Sequence, residues 1–433
     1  MKLLVISQYY YPEQFRINEV CAELVRRGHK ITVLTGRPNY PEGEVYPGYE
    51  HLKREEHEGV EILRCQIAPR KQGAVRLAWN YLSYMTRAWF RVGQLPGDFD
   101  AVLVYQLSPV TMAVPALRYH KKHGVPVYLY CLDLWPESMR DNIPDTNSLP
   151  YRLLTRWCQK LYNGAAKIGV TSPAFQDYLH EICLVPRENI TYLPQHGEDM
   201  LRWGSLEATD NGVTDFVFMG NVGVAQDLEN VARAVSLIRT PKPFLVHIVG
   251  IGPDLENLKK TVAQLGVEDH FRFHGRHPLE KMPDFYRLAD GCLLTLYDDT
   301  AAGLTIPGKL QGYMSAGKPV IAAIGGGAAQ VIAQSGCGLC VQPGKPEELA
   351  AIMTQFMEQP SQAAQMGKRG REYFEKHFSL DIFTAQLERQ LEELCPKRGL
   401  YEDFDDKCIL WHWQHRAHLH GFGASFGSPG ASG

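Results

Sequence analysis

The feature that most constrains this chain is a strand–helix rhythm that runs through its first half and then starts again. Leu3–Ser7 is an apolar, β-rich run. Arg16–Arg27 follows with Ile17, Val20, Cys21, Leu24 and Val25 on one helical face, closed by Gly28. Ile31–Thr35, Ala101–Tyr105, Val125–Cys131 and Ile168–Thr171 read as further strands, with helices over Val110–Lys122, Leu149–Asn163 and Pro173–Ile182. The pattern restarts at Phe216–Met219 and continues through the strands Leu245–Val249, Phe271–His274, Gly291–Leu296, Val320–Ala323 and Leu339–Gln342. Helices are expected at Leu228–Ile238, Leu255–Gln264, Leu279–Leu288, Pro307–Ser315 and Glu347–Glu358. Such alternation builds parallel sheets covered on both faces.

A chain of 433 residues exceeds one ordinary hydrophobic core. The expected fold class is therefore α/β, with two Rossmann-like doubly wound domains facing across a cleft. The boundaries are placed at 1–195 for the first domain and 196–378 for the second, with a linker near Pro194–Gly212. A helix at 379–395 is expected to pack back near the first domain, and 396–433 is expected to be a disordered tail. That tail holds His412, His415, His418 and His420 without an accompanying Cys or Asp cluster, and no metal site is assigned to it. Ligands of open parallel sheets bind at the carboxyl ends of the strands, so the cleft is the expected site.

Charge and composition exclude some classes. The net charge of −3 lacks the basic excess expected when nucleic acid is the main ligand. No run has the ~18 apolar residues of a membrane-spanning helix, and Met1–Ile6 reads as the first strand rather than a secretion signal. Cys337 and Cys340 have CxxC spacing but no second ligand pair, so they read as buried thiols in a reducing cytosol. A cytoplasmic location follows as an expectation, with peripheral attachment to the inner face of the plasma membrane.

Four glycine-rich loops lie at predicted strand ends in the second half. They are Gly220-Asn221-Val222-Gly223 followed by Gln226, Gly250-Ile251-Gly252-Pro253, His274-Gly275-Arg276, and Thr305-Ile306-Pro307-Gly308-Lys309 opening a helix. Glycine lets backbone N–H groups approach an anion, and a helix N-terminus adds partial positive charge. Lys309 at that helix start opposes the macrodipole, and a diphosphate ligand would give it a reason. Together the loops point to a nucleotide-diphosphate cradle.

The stretch Leu245–Asp298, with its GxGP turn, the FRFHG strand end and the buried strand Gly291–Leu296, resembles the donor-binding domain of family-4 glycosyltransferases. Tyr9–Thr35 with Gly28-His29, and Gly317-Lys318-Pro319-Val320-Ile321-Ala322, are similar to that family too. The resemblance covers about residues 1–390 and implies the GT-B fold, in which two Rossmann-like domains face each other. Arg37–Gly43, Asp133–Ser138, Gly220-Asn221 with Gln226, and Ile306–Met314 resemble its WbuB-like branch, the N-acetylfucosamine transferase-like enzymes of surface polysaccharide assembly. The chain departs from the family at three places. The usual paired Glu positions hold Leu304 and Gly312, the first phosphate loop lacks the usual Arg and Lys, and Leu132 stands where many relatives have His.

The resemblance implies transfer of a sugar, of the N-acetylated hexosamine type, from a nucleotide-diphosphate donor such as a UDP-sugar. The expected acceptor is a polyprenyl-linked or oligosaccharide one, in capsule, O-antigen or exopolysaccharide assembly. It also implies retention of configuration, with no metal or cofactor and no nucleic-acid partner. Lys309 is the expected catalytic cation, with Arg276 or Arg16 assisting it on the diphosphate and Asp133 and Glu137 orienting the acceptor. Donor contacts are expected from Gly220, Asn221, Gly223, Gln226, Gly250, Gly252, His274, Gly275, Arg276, Thr305, Pro307, Gly308, Gln311 and Glu198. Acceptor contacts are expected from Glu13, Phe15, Arg16, Asn18 and Trp135. For Asp133 a turn-capping role stands open beside the catalytic one, and for Glu198 a solvated linker charge. The loop Tyr9–Arg16 either meets the acceptor or packs its aromatic residues beneath itself. Arg70–Arg91 mixes basic and aromatic residues in a way that suits the inner membrane surface. Rival readings are a nucleotide-sugar 2-epimerase on the same fold and a catalytically weak sugar-nucleotide-binding protein. A dehydrogenase is disfavoured, because Ser7–Phe15 contains no Gly.

Overall fold

The computed structural model describes residues 1–70, 73–140, 143, 145–200, 204–297 and 305–395. The first unit runs β1 (Lys2–Ile6), α1 (Ile17–Arg26), β2 (Lys30–Gly36), β3 (Arg54–His57), β4 (Val60–Cys65), α2 (Ala74–Val92) and β5 (Ala101–Gln106). It continues with α3 (Ala113–His123), β6 (Val127–Cys131), α4 (Leu149–Tyr162), β7 (Lys167–Val170), α5 (Pro173–Glu181) and β8 (Ile190–Tyr192). Its sheet order is β3-β4-β2-β1-β5-β6-β7-β8, parallel except for the short edge hairpin of β3 and β4. Every residue of β5 and β6 is buried, as a sheet covered on both faces requires. One cover is α2, α3 and α4, whose Tyr84, Ala116 and Tyr162 enter the core beneath them. The other is α1, which sets Ile17, Val20, Cys21 and Leu24 against β1 and β2.

The second unit runs β9 (Thr214–Met219), α6 (Leu228–Leu237), β10 (Phe244–Val249), α7 (Leu255–Leu265), β11 (Phe271–Gly275), α8 (Met282–Leu288) and β12 (Gly291–Thr295). It ends with α9 (Gly308–Ser315), β13 (Val320–Ala323), α10 (Gly326–Ser335), β14 (Gly338–Val341), α11 (Pro346–Glu358) and α12 (Pro360–His377). The order β11-β10-β9-β12-β13-β14 is parallel throughout and changes direction between β9 and β12. A crevice therefore opens beyond Met219 and Thr295, and Gly220 begins its floor.

The last helix, α13 (Leu380–Leu394), leaves the second unit and packs on the first. Phe383, Leu387 and Leu391 join the core of α1, and Gln390 accepts a hydrogen bond from Tyr128 at 2.6 Å. Arg27 pairs with Asp381 and Glu388, and His29 with Glu388. The two units are also stitched at the hinge. Gln311 on α9 donates to the Gln195 carbonyl at 2.5 Å, and the Ser315 hydroxyl donates to the Glu198 carbonyl at 2.8 Å. No described helix is long and apolar enough to cross a membrane. Cys337 is buried and Cys340 half-buried, both as free thiols. Leu304 and the His-rich tail lie outside the described residues.

Candidate active site

The second unit builds its rim from backbone packed on backbone. Gly220 has φ +137°, and a Cβ there would overlap the Lys309 side chain. Gly250 has φ +151°, and its Cβ would overlap the Gly220 carbonyl; a Cβ on Gly252 would overlap that of Val222. These glycines permit close loop-to-loop approach. The loop spends its donors internally: Gly220 N–H goes to the Val249 carbonyl at 2.9 Å, Val222 N–H to Ile251 at 3.0 Å, and Gly223 N–H to Gln226 Oε1 at 3.0 Å. The N–H groups of Gly220, Val222 and Gly223 are thereby taken from the expected phosphate cradle, which leaves that of Asn221. Gly250, Gly252 and Gln226 are shapers of the loop, and the charge for an anion comes from elsewhere.

That charge is Lys309, which leads α9 together with Gly308. Its ammonium lies 3.9 Å from the centre of the Phe218 ring, and among the described residues no hydrogen bond or ion pair engages it. Burial pushes its pKa down to about 8. Pro307 stands just before this first turn in extended conformation, so the Gly308 and Lys309 N–H groups have no carbonyl within the helix to bond. Phe218 was missed in the sequence, because an aromatic residue in an apolar strand gives no signal beyond core packing.

Arg16 reaches this point from the other unit. Its guanidinium donates to the His196 carbonyl and to Gln311 Oε1 at 2.8 Å. Nη2 lies 3.0 Å from where a Cβ on Gly308 would stand. Of the two places expected for Arg16, the acceptor side and the diphosphate beside Lys309, its contacts put it at the α9 N-terminus. Gln311 is held between Arg16 and the hinge, and is not turned to a ribose. The position expected to carry the second Glu is Gly312, where a Cβ would lie 3.1 Å from the Tyr286 hydroxyl, leaving little room for a larger side chain.

The remaining expected donor residues are spread along the rim, with His274, Gly275 and Arg276 at the end of β11 and the others nearer β9 and α9. His274 accepts or donates at 2.9 Å to His247, whose other nitrogen meets Asp215 at 2.8 Å. Burial and the neighbouring His247 lower the His274 pKa. Gly275 takes φ +72°, and Arg276 is exposed beside it. Thr305 is half-buried ahead of α9, and Asn221 is exposed on its loop. Glu198 lies in the hinge beneath α9.

The first unit presents a different rim. Glu13 is 2% exposed, and Oε1 accepts the N–H groups of Asn39 and Tyr40, both at 2.8 Å. Burial raises its pKa to about 7, against the pull of those donors. Asn18 accepts the Tyr11 N–H at 3.2 Å and donates to the Glu13 carbonyl at 2.8 Å. Both side chains are therefore clamps inside the loop after β1, which corrects their expected place on the acceptor. Phe15 stacks on Tyr9 with ring centres 5.3 Å apart, and Tyr40 tilts against both.

Asp133 follows β6. Its Oδ2 accepts the Trp135 indole N–H at 2.9 Å and its Oδ1 accepts the Ser138 hydroxyl. Burial raises its pKa while those donors pull it down. Trp135 also reaches Ser108 at 3.2 Å. Glu137 pairs with Arg140 at 2.7 Å, away from any arrangement with Asp133. Arg70 and Tyr81, expected from the sequence in the membrane-facing stretch, instead complete this side. Arg70 donates to the Tyr9 hydroxyl at 3.4 Å and lies 5.2 Å from the Tyr40 ring. Burial raises the Tyr81 pKa and the nearby Asp133 carboxylate adds to it, while Arg70 and a hydrogen bond with Ser108 pull it down. An aromatic wall with one guanidinium and one carboxylate thus faces the cationic rim.

Two doubly wound units with a cationic helix start at a topological switch point define the GT-B class of nucleotide-dependent folds. The Glycosyl transferase 4-like domain model matches residues 14–196, and the Glycosyl transferases group 1 model matches residues 207–373. The chain belongs to the group 1 glycosyltransferases. It is 24% identical over 413 residues to the colanic acid biosynthesis glycosyl transferase WcaI of Escherichia coli, covering 89% of this chain and 98% of that one. Among solved structures, sucrose-phosphate synthase from Thermosynechococcus elongatus superposes with a TM-score of 0.67 at 15% identity, over 91% of this chain and 98% of that one. Anabaena HepE in complex with UDP gives a TM-score of 0.66 at 14% identity, over 90% and 99%.

Proposed function

We propose that this chain is a metal-independent, retaining glycosyltransferase of the cytoplasm. In this reading it moves an N-acetylated hexosamine-type sugar from a UDP-sugar to a lipid-linked or saccharide acceptor in surface polysaccharide assembly, as WbuB-like enzymes do. The observation that carries this is Lys309: a half-buried cation with a depressed pKa, at a helix start beside the loop after β9. A partly desolvated ammonium left without a carboxylate is costly unless an anion comes to it. The likeness to a colanic acid biosynthesis transferase supports the choice of a polysaccharide acceptor, and the likeness to a UDP complex supports a uridine donor.

As the bond from the anomeric carbon to the diphosphate breaks, negative charge grows on the leaving phosphate. Lys309, the N–H groups of Gly308 and Lys309, and Arg16 across the cleft stabilise that charge more than the ground state. The acceptor hydroxyl attacks from the same face, and its proton passes to the leaving phosphate. Phe15 and Tyr40, backed by the buried Tyr9, hold the acceptor, with Arg70 supplying a cation for a phosphate on it.

The test is a thermal-shift screen against UDP, GDP, ADP, TDP and NAD, with and without Mg²⁺, followed by turnover of the matching sugar donors. Stabilisation by UDP in the absence of metal is expected. A shift with NAD alone, or turnover that appears only with Mg²⁺, overturns the corresponding part of the reading.

A further inference from the structure

The C-terminal sheet has a second opening, at the end away from the cleft. Beneath the amino ends of β10, β9, β12 and β13, four neighbours in the sheet, lies a cavity of about 990 Å³. Pro243, Thr214, Asp290 and Pro319 border it at those strand ends. Ala363 and Ala364 of α12 form one side, and the loop 204–213, between the hinge and β9, forms another. This loop is anchored. Leu206 is buried in the core that holds Tyr286 and Ala316. Arg287 donates to the Ser205 carbonyl at 3.1 Å, and the Thr209 N–H donates to the Arg287 carbonyl at 2.9 Å. The space has the size of a small-molecule site.

Its cations are only partly satisfied. Lys318 is 4% exposed, and its ammonium donates to the Ala289 carbonyl at 2.9 Å, both residues lining the cavity. Among the described residues no carboxylate comes within ion-pair distance of it, and Asp290 and Glu207 act on it from further off. Burial lowers its pKa. Lys242 donates to the Met357 carbonyl at 2.7 Å and likewise has no ion pair among the described residues. Each ammonium has three N–H groups and one of these fixed acceptors. The acids of the lining are placed differently. Glu207 and Asp210 are exposed on the loop, and the half-buried Asp290 accepts the Asp215 N–H at 2.9 Å. Phe356, Met357 and Pro360 add an apolar wall.

The cavity is tied to the cleft in two ways. Asn211, within the loop, donates to Asp215 Oδ2 at 2.7 Å. Asp215 Oδ1 meets His247 at 2.8 Å, and His247 meets His274 at 2.9 Å. Asp215 stands near the amino end of β9 and His274 near the carboxyl end of β11, so this chain of side chains crosses the sheet from cavity to rim. The cavity also borders both segments that pass between the units. The loop follows the hinge, and α12 leads into α13, which packs on the first unit. Arg371 of α12 pairs with Asp199 at the hinge at 2.6 Å.

We propose that this cavity is an effector site for a small organic anion with an apolar body, and that its occupancy is felt at the cleft. The anion takes N–H groups that Lys318 and Lys242 have left, and the body covers Phe356, Pro319 and Ala363. A ligand seated between the loop and α12 fixes the spacing of the two crossing segments and acts on Asn211 through the loop. The site itself stands apart from the transfer reaction. Only the use of UDP to report on the cleft rests on the transferase reading.

The probe is anilinonaphthalene sulfonate, a dye that joins a sulfonate to an apolar aromatic body and brightens in apolar surroundings. Titration into the full chain should show one saturable site. Ala364→Trp fills the cavity from an exposed position on α12, and Lys318→Met keeps the stem while removing the charge. Each should weaken dye binding by at least about tenfold, with thermal melts to confirm that the variant is folded. Lys309→Ala, at the cleft, should leave dye affinity unchanged. UDP and the dye should alter each other's affinity by one common factor of about fivefold or more, and His247→Gln should bring that factor toward one. No saturable binding, wild-type dye affinity in either folded cavity variant, or loss of dye binding in Lys309→Ala overturns the site. A common factor of one in the unaltered chain overturns the effector role. If UDP does not bind at all, the donor reading fails, and the two cavity variants still decide the site.

Discussion

The two rims of the cleft solve the problem of polar groups near a ligand in opposite ways. On the C-terminal rim much of the loop backbone is spent: Gly220, Val222 and Gly223 give their N–H groups to partners within the loops, while Lys309 and the N–H groups that open α9 are engaged by nothing among the described residues. On the N-terminal rim the charged side chains are the ones spent. Glu13 holds the backbone of Asn39 and Tyr40, Asp133 holds Trp135 and Ser138, and Glu137 holds Arg140. One rim thus offers a fixed cation to a ligand of fixed chemistry. The other offers an aromatic surface on a clamped loop, which suits recognition by shape.

The largest expected effect breaks this contrast at its cationic end. Lys309→Ala should lower turnover by about 10²–10³-fold, the scale of losing one donor to a developing anion. Its melting temperature should not fall, since the substitution removes a desolvated charge. Near-normal turnover in the folded variant would take Lys309 out of the mechanism and return the anion to the loops.

Next comes the pH dependence of UDP binding. Lys309 binds the diphosphate as its protonated form, so the affinity is fully present below about pH 8 and is lost as the pH rises through that value. The loss should approach about tenfold per pH unit and vanish in Lys309→Ala. The same proton acts with opposite sign on stability. The unfolded chain holds it up to the ordinary Lys value of 10.5, so this group favours the fold progressively above about pH 8. Isothermal titration across pH 7 to pH 10 with parallel melts separates the two effects; affinity flat across that range would show that no proton on Lys309 is involved.

On the aromatic rim, Glu13→Ala should cost about 2–3 kcal/mol of stability by leaving the Asn39 and Tyr40 N–H groups buried and unmet. Acceptor KM should rise while UDP affinity holds, because the clamp shapes only the N-terminal loop. Loss of UDP binding alongside would show that the rims are not independent.

Much of this architecture was legible in the chain. Apolar runs such as Ala101–Tyr105 and Phe216–Met219 announce doubly covered strands, and β5 and β9 lie there. The glycine loops do stand at strand ends, but they serve a purpose other than the one their sequence suggests. A Gly that admits a phosphate and a Gly that admits a neighbouring carbonyl look the same in sequence, and only the overlap of a Gly250 Cβ with Gly220 tells them apart. Glu13 and Asn18 were misplaced for a related reason: their partners are backbone N–H groups, one set of them 26 and 27 residues away, which no side-chain pattern records. For Arg16 the sequence left two destinations open, the acceptor and the diphosphate beside Lys309, and only its partner Gln311, 295 residues along the chain, places it with α9.

The smallest expected effect falls on Asp133, where capping and catalysis make separable predictions. Its two oxygens accept from Trp135 and Ser138, so Asp133→Asn forces an amide NH₂ against one of those donors. If the carboxylate chiefly fastens the turn after β6, the variant should lose about 1–2 kcal/mol of stability, with turnover down only a few-fold. Ser138→Ala should then reproduce part of the stability loss. If instead Asp133 orients the acceptor hydroxyl, turnover should fall by about 10²-fold or more with the melting temperature nearly unchanged, and Ser138→Ala should leave turnover near wild type. The geometry favours the first outcome, because both oxygens are already occupied within the turn. The second outcome would show that substrate draws Asp133 away from Ser138, and the N-terminal rim would then act in the chemical step just as Lys309 does on the other side.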